Sequence, residues 1–336
     1  MTQTMTPNHK QSHRESGVPT TMRAAAIDHY GGPDVLTLHE LPVPELGIKE
    51  VLIAVHTAGV GGWDADIREG WNPGGRVRFP LVLGTDGSGT IAQRGSRARR
   101  FEEGEQVYSY SWNNPKGGFY AEYVAVHEDK VAPIPDPPLD LKHAGAVPVT
   151  GLTALQGIAD HLDVQTGENV MIHGASGGVG TLAVQFAKER GARVFGVASG
   201  DDGVALVKRL GADDAVDGHK EDFVEAAFPF APKGMDAVLA LGSGESVERC
   251  LDVLRQGGRL AYPNGVEPPP KKRRSLKIIS YDAEAGVRQF EKLNRAIQKA
   301  KLQVPIAAEF PLEKAADAHR RIDQGHILGK IVLRIR

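Results

Sequence analysis

Hydrophobic and polar positions change rhythm twice along the chain. From residue 23 to about 145, short apolar runs such as MRAAAIDHY, EVLIAVHTAGV, SGTIAQRG, EQVYSYS and EYVAVHEDKVAPI are cut at close intervals by Gly and Pro. Runs of that length and punctuation predict a compact, mostly β domain of barrel type. Beyond residue 146, strand-like runs alternate with stretches of helical period: NVMIHGA, VGTLAVQFAKER, RVFGVAS, GVALVKRLGA, DAVLAL, SVERCLDVLRQ, RLAYPN. Alternation of this kind predicts a parallel, doubly wound sheet. After residue 283 come a helix (VRQFEKLNRAIQKAK), a strand (VPIAAEF), a helix (EKAADAHRRIDQ) and a closing strand (KIVLRI). That tail is too short for a third domain and is expected to complete the first. The expected organisation is therefore an α/β chain: a leader over 1–21, a barrel-type domain from 22–145 and 283–336, and a doubly wound domain over 146–282.

Composition narrows the function classes. The chain has 336 residues and a net charge of −2, which gives no global case for nucleic acid or an anionic membrane. No apolar run approaches the ~18–20 residues of a membrane span. Residues 1–21 are polar without an apolar core, so they read as a disordered leader rather than a secretory signal, and the cytoplasm is the default compartment. A single cysteine, Cys250, excludes an intramolecular disulfide and any multi-cysteine zinc site. Its helical spacing with Val247, Leu251 and Leu254 predicts a buried apolar role. The basic run PPPKKRRSLK, 268–277, reads as a solvated loop.

The stretch HGASGGVG, 173–180, approaches the dinucleotide fingerprint G-x-G-x-x-G, with Ala175 where the first glycine belongs. A buried-strand pattern precedes it. A helix follows in which Val179, Leu182, Ala183, Phe186 and Ala187 form one apolar stripe. Gly177 and Gly178 thus sit at a strand-to-helix turn, where unpaired N–H groups and the helix dipole suit a pyrophosphate. Gly177 lets the backbone approach the phosphates, and Gly180 lets helix and strand pack closely. Ala175, Ser176, Gly177, Gly178 and Val179 are the candidate contacts. The next strand ends Val197-Ala198-Ser199, without the acid that usually binds the ribose of NAD. Ser199 suits a 2′-phosphate, while Asp201 and Asp202 read as first-turn acids of a helix. NADPH is the expected cofactor, with NADH the alternative.

GLTALQGIADHLDVQTGENVMIHGASGGVG followed by LGAD resembles the zinc-independent quinone oxidoreductases (the zeta-crystallin group) of the medium-chain dehydrogenase/reductase superfamily. YGGPDVLTLHELPVP, AGVGGWDADIREG, LGTDGSGTI and GGFYAEYVAV extend the resemblance from about residue 22 to the end. It implies a GroES-like catalytic domain, a Rossmann domain and a cleft between them. It places Gly62 and Trp63, Thr153, Leu241-Gly242 and Asn264-Gly265 along the cofactor. Gly203 stands where the family often has a base for the 2′-phosphate. Gly218 stands where it often has a tyrosine over adenine, beside His219, which can substitute. The family's frequent Asn in N-x-x-D-x-x-x-R-x-G is Gly61, whereas Asp64, Arg68 and Gly70 remain. Zinc alcohol dehydrogenases of the superfamily carry a Cys in the segment matching Ala58–Asp64 and a His-Glu pair at Thr85-Asp86. This chain has neither, so no metal is expected. SLKIISYD, 275–282, resembles the edge strand through which such enzymes pair, which implies a homodimer.

Without a metal, a nicotinamide hydride reduces an acceptor that is itself electron-poor, a quinone or an α,β-unsaturated carbonyl. Trp63, Trp71, Tyr108, Tyr110, Trp112, Tyr120 and Tyr123 suit a flat apolar acceptor, and most of them also suit core packing. Tyr110 is the candidate proton donor, in competition with water, and Asp86 a cleft-orienting acid. Asp64 is expected to pair with Arg68 four residues on. Two other readings stay open. One is an enoyl-thioester reductase, which needs a basic track such as Lys271, Lys272, Arg273 and Arg274. The other is a low-turnover NADPH-binding sensor or structural protein.

Overall fold

The computed structural model describes residues 17–71, 77–242 and 244–336; residues 1–16 of the expected leader lie outside them. Strand β1 (Thr21–Ile27) lies antiparallel between β2 (Thr37–Pro42) and β4 (Leu81–Val82). The long strand β3 (Glu50–Val60) leads into helix α1 (Gly62–Glu69). It is the spine of a second sheet with β5 (Asp86–Arg94), β6 (Gln106–Tyr110), β7 (Tyr123–His127) and β8 (Val131–Pro133). Val51, Leu52, Ile53, Val55, Ala58 and Val60 of β3 are all buried, because both faces of this strand meet packed side chains.

Two short helices, α2 (Leu141–Ala144) and α3 (Pro148–Gln156), carry the chain to the parallel sheet. It then runs β9 (Asn169–His173), α4 (Gly178–Glu189), β10 (Arg193–Ala198), α5 (Gly200–Arg209), β11 (Asp214–Asp217), α6 (Phe223–Phe230), β12 (Met235–Ala240), α7 (Glu245–Arg249), β13 (Leu254–Pro263) and β14 (Lys277–Tyr281). The strand order is β11-β10-β9-β12-β13-β14, every pair parallel. The order reverses beside β9, the switch point at which an open α/β sheet forms its binding crevice. The expected helix over SVERCLDVLRQ is cut short. Met235 pairs with Leu254 and its N–H donates to Val253 O, so the sheet claims residues whose local period is helical. Cys250 is buried as expected.

The tail serves both halves. Helix α8 (Val287–Ala300) buries Phe290, Leu293 and Ile297 in the core shared with α3 and α4. Strands β15 (Ile306–Pro311) and β16 (Lys330–Arg334) flank helix α9 (Ala315–Asp323). β16 pairs antiparallel with β3, Leu333 opposite Ala58. Among the described residues no helix is long and apolar enough to cross a membrane.

Candidate active site

The loop from β9 to α4 explains its missing glycine. Gly174, one residue earlier, takes the left-handed turn (φ +80°). Ala175 keeps a negative φ, is buried, and donates its N–H to Val197 O at 2.9 Å. Gly180 is sterically obligatory, since a Cβ there would stand 2.2 Å from Gly174 O. Gly177 has no neighbour nearer than 3.6 Å to such a Cβ and is the N-cap of α4, with no side chain capping it. The N–H groups of Gly178, Val179 and Gly180 have no protein acceptor among the described residues. A twelve-residue helix therefore presents its positive end, unblocked, at the switch point.

A segment 150 residues downstream straps this loop. Gly329 forms a parallel bridge with Gly177 and donates its N–H to Ser176 O at 2.9 Å. Lys330, buried, runs its stem past Gly178, donates from Nζ to Val60 O at 3.0 Å, and lies 4.7 Å over the Trp63 ring. His326 hydrogen-bonds Ser199 Oγ and Asp202 Oδ2, each at 3.0 Å. Arg321 fixes the strap by donating to the carbonyls of Gly325 and His326. Neither Lys330 nor His326 was singled out in the sequence. The one available signal was a lysine opening an otherwise buried strand, KIVLRI.

At the adenosine end, Ser176 Oγ accepts from Ser199 N at 3.2 Å, and a Cβ on Gly203 would stand 3.2 Å from Ser176 Cβ. Buried Asp217 accepts the N–H groups of His219 and Gly200, which hold its carboxyl below the usual range. Gly218 and His219 are exposed on the same rim. The two acids that would repel a phosphate are each paired, Asp201 with Lys220 at 2.7 Å and Asp202 with His326.

At the other end, Thr153 Oγ1 donates to Val149 O at 2.8 Å. Leu241 N–H donates to His173 O, and Gly242 lies so close to the His173 imidazole that a Cβ would stand 2.3 Å from it. Asn264 donates to Asp282 Oδ2 at 2.8 Å, ahead of left-handed Gly265 (φ +92°). Leu241-Gly242 and Asn264-Gly265 follow the carboxyl ends of β12 and β13, and Thr153 lies in α3. Facing them from the barrel, Asp86 is fully buried, and its Oδ2 accepts Val149 N–H at 3.0 Å, tying β5 to α3. Burial raises the Asp86 pKa, against the pull of Lys330. Thr85 Oγ1 accepts from Trp63 Nε1 at 2.7 Å, and Thr85 O from Ser111 N at 2.9 Å. Tyr110, opposite Asp86 on β6, is half-buried, and its hydroxyl has no protein partner among the described residues. Burial, then the negative charges of Asp86 and Asp282, push its pKa up, so it stays a donor.

One expectation needs correction. Asp64 does not pair with Arg68. Its carboxylate accepts Gly61 N–H at 2.9 Å and the Tyr120 hydroxyl at 3.4 Å. Arg68 instead donates to Gly31 O and meets His319 and Glu69. At the third position of a short helix, closing the turn onto the free N-cap N–H outweighs an i,i+4 pair. Burial pushes the Asp64 pKa up to about 7, opposed by the Gly61 bond and Lys330. Of the aromatics, Tyr108, Tyr120 and Tyr123 are core residues. Only Trp63, Trp71, Tyr110 and Trp112 remain half-buried or exposed. Within the basic run, Arg273 is paired with Asp252 and Glu248.

Residues 47–136 match the family model of the alcohol dehydrogenase GroES-like domain, and 210–333 match that of zinc-binding dehydrogenases. Mouse (Mus musculus) quinone oxidoreductase is 32% identical over 330 residues, 93% of this chain and 97% of that protein. The chain belongs to the quinone oxidoreductase group of the medium-chain dehydrogenase/reductase superfamily. The chloroplastic NADPH-dependent alkenal/one oxidoreductase of Arabidopsis thaliana is 30% identical, covering 95% of this chain and 81% of its own. The solved quinone oxidoreductase of Coxiella burnetii superposes with a TM-score of 0.83 at 30% identity, over 94% of this chain and all of that one. An NAD-dependent alcohol dehydrogenase gives 0.86 at 31%, with the same coverage. As a member of this group the chain is an oxidoreductase. Zinc, which the second family model's description names, does not suit the donors present. Gly61 and Gly62 offer no ligand, the Thr85 hydroxyl is taken by Trp63, and Asp86 Oδ2 holds Val149. No three His, Cys, Asp or Glu side chains converge among the described residues.

Proposed function

We propose that the chain is a metal-free, NADPH-dependent reductase that passes hydride to a quinone or an α,β-unsaturated carbonyl. The observation that carries this reading is the unblocked first turn of α4, joined through Lys330 and Trp63 to a barrel segment of Thr85 and Asp86 with no metal donor set among the described residues. The activities named for the mouse and Arabidopsis relatives support it.

When bound, the reduced nicotinamide supplies a hydride, one proton with two electrons, and is left oxidised. The N–H groups of Gly178 and Val179 hold the diphosphate, and Gly177 leaves room for its approach. Ala175 and Ser176 shape the loop beneath it. Ser199, Gly203, Gly218 and His219 line the adenosine end. Leu241, Gly242, Asn264 and Gly265 at the ends of β12 and β13, Thr153 on α3, and Gly62 and Trp63 from the barrel would hold the nicotinamide. Tyr110 donates a hydrogen bond, then the balancing proton, to the acceptor oxygen. Asp86 positions the wall through Val149. The protein works in the cytoplasm as a homodimer joined along residues 275–282.

Loss of NADPH absorbance in the presence of phenanthrenequinone, an alkenal or crotonyl-CoA tests the reading. Turnover of the first or second is the expected result. Turnover of crotonyl-CoA alone would point to an enoyl-thioester reductase. NADPH binding without any turnover would point to a sensor.

A further inference from the structure

Beside the strap lies a groove that the reductase reading does not use. It has a volume of about 410 Å³ and opens between α5, the segment ahead of α2, and the crossover 301–305 that joins α8 to β15. Its floor is aliphatic. Leu139, Leu206, Leu210, Leu302, Val304 and Pro305 line it, and no aromatic ring does. Its charged side chains are Arg209 and Lys301, both exposed, with His143 beside them, and no Asp or Glu lines it. His143 is engaged with Asp140 at 2.7 Å, whereas the Arg209 and Lys301 side chains have no partner among the described residues. An adjoining hollow past Leu210 and Gln303 differs, because its Lys188 is paired with Asp213 and its Lys299 with Glu189. Of the two, only the groove beside the strap keeps unmatched positive charge.

We propose that this groove binds a straight-chain fatty carboxylate, which tightens the hold of the strap on the cofactor loop. The proposal goes beyond the reductase reading and shares with it only the placement of the diphosphate at Gly177. A pocket of this size, apolar with a few placed charges, suits a small amphiphile. The aliphatic floor takes a methylene chain, and without aromatic faces it offers a planar ring no stacking. The two unmatched cations at the open edge take the carboxylate, and they would repel an ammonium headgroup. Two elements that line the groove also hold the cofactor loop. Pro305 O accepts Lys330 N–H at 2.9 Å, and the neighbouring Gly329 bridges Gly177. Helix α5 carries Leu206 and Arg209 toward its C-terminal end, and near its start a Cβ on Gly203 would stand 3.2 Å from Ser176 Cβ and 3.4 Å from Leu328 Cδ2. A chain wedged between α5 and Pro305 therefore braces the strap against the loop. Linkage makes the effect mutual, so that occupant and cofactor each bind more tightly in the presence of the other.

Calorimetry on the full chain tests this, with decanoate kept below its micelle-forming concentration and with decylammonium and acetate as controls. Decanoate should bind saturably, one per chain, and the two controls should not. Saturating decanoate should tighten NADPH binding about fivefold or more, and NADPH should raise decanoate affinity by the same factor. Arg209→Glu and Lys301→Glu should each weaken decanoate binding about fivefold. The double variant should lose saturable binding while its thermal midpoint, and its NADPH affinity without decanoate, stay at wild-type values. Lys272→Glu, a charge reversal in the exposed basic run, should bind decanoate as wild type does. No saturable decanoate binding to wild type, equal binding of decylammonium, undiminished binding to the double variant, or an NADPH affinity indifferent to decanoate overturns the proposal. Failure of the reductase reading, with NADPH bound but no acceptor turned over, leaves this test untouched, because no acceptor is present in it.

Discussion

Trp63 occupies the space that any side chain at position 61 would need, its indole 2.3 Å from a Cβ built on Gly61. The departure from the family's asparagine at 61 thus has a steric partner two residues on. Gly61→Ala should displace the indole, break its bond to Thr85 Oγ1 and destabilise the protein by about 1–3 kcal/mol, the usual cost of overpacking. A double variant with Trp63→Ala should recover most of that loss in urea unfolding. Additive losses would show that the two positions are independent.

The glycines of the dinucleotide loop differ in what they tolerate. Gly177→Asp meets open space, so the fold should persist, but a carboxylate set at the helix N-terminus should abolish NADPH binding by calorimetry. Unchanged affinity would contradict the placement of the diphosphate. Gly180→Ala instead drives a methyl to 2.2 Å from Gly174 O and should lower the thermal midpoint even without cofactor.

Asp64 makes stability depend on pH in an unusual direction. Its folded pKa is about 7, against roughly 3.9 unfolded. Between those values the native state keeps a proton that the unfolded chain has released. The contribution is therefore full below the unfolded value, falls as pH rises, and is gone above about 7. Asp64→Asn removes this dependence. The unfolding free energy of the variant relative to wild type should rise steadily from about pH 4 to about pH 8. A constant difference would show that Asp64 is ionised throughout.

Strand β14 pairs with β13 alone among the described residues, and Ile278 and Ile279 are only half-buried. A dimer along this edge would continue the sheet and cover them. Ile278→Asp should then give half the wild-type mass by light scattering. An unaltered dimer mass would point to another interface.

Local pattern carried much of the architecture. The apolar runs of the barrel, the βα alternation and the strand–glycine–helix turn at 173–180 each follow from contacts within about twenty residues, and the α/β fold class was legible from them. The end of helix α7 was not, because the pairing of Leu254 with Met235 of the neighbouring strand overrides the local helical period. The Asp64–Arg68 pair was misread for a related reason. Spacing permits an i,i+4 contact, but the competitors for Arg68, Gly31 O and buried His319, come from distant parts of the chain.

Chain order thus dictated the layers and the loop that offers N–H groups to a diphosphate, since period and turn chemistry are local properties. Folding alone decided that Gly329 would bridge Gly177, that His326 would hydrogen-bond Asp202, and that the Lys330 ammonium would reach Val60 O over the Trp63 ring. Those juxtapositions depend on β16 closing against β3, a pairing between strands some 270 residues apart, whose register is set by the burial of both faces.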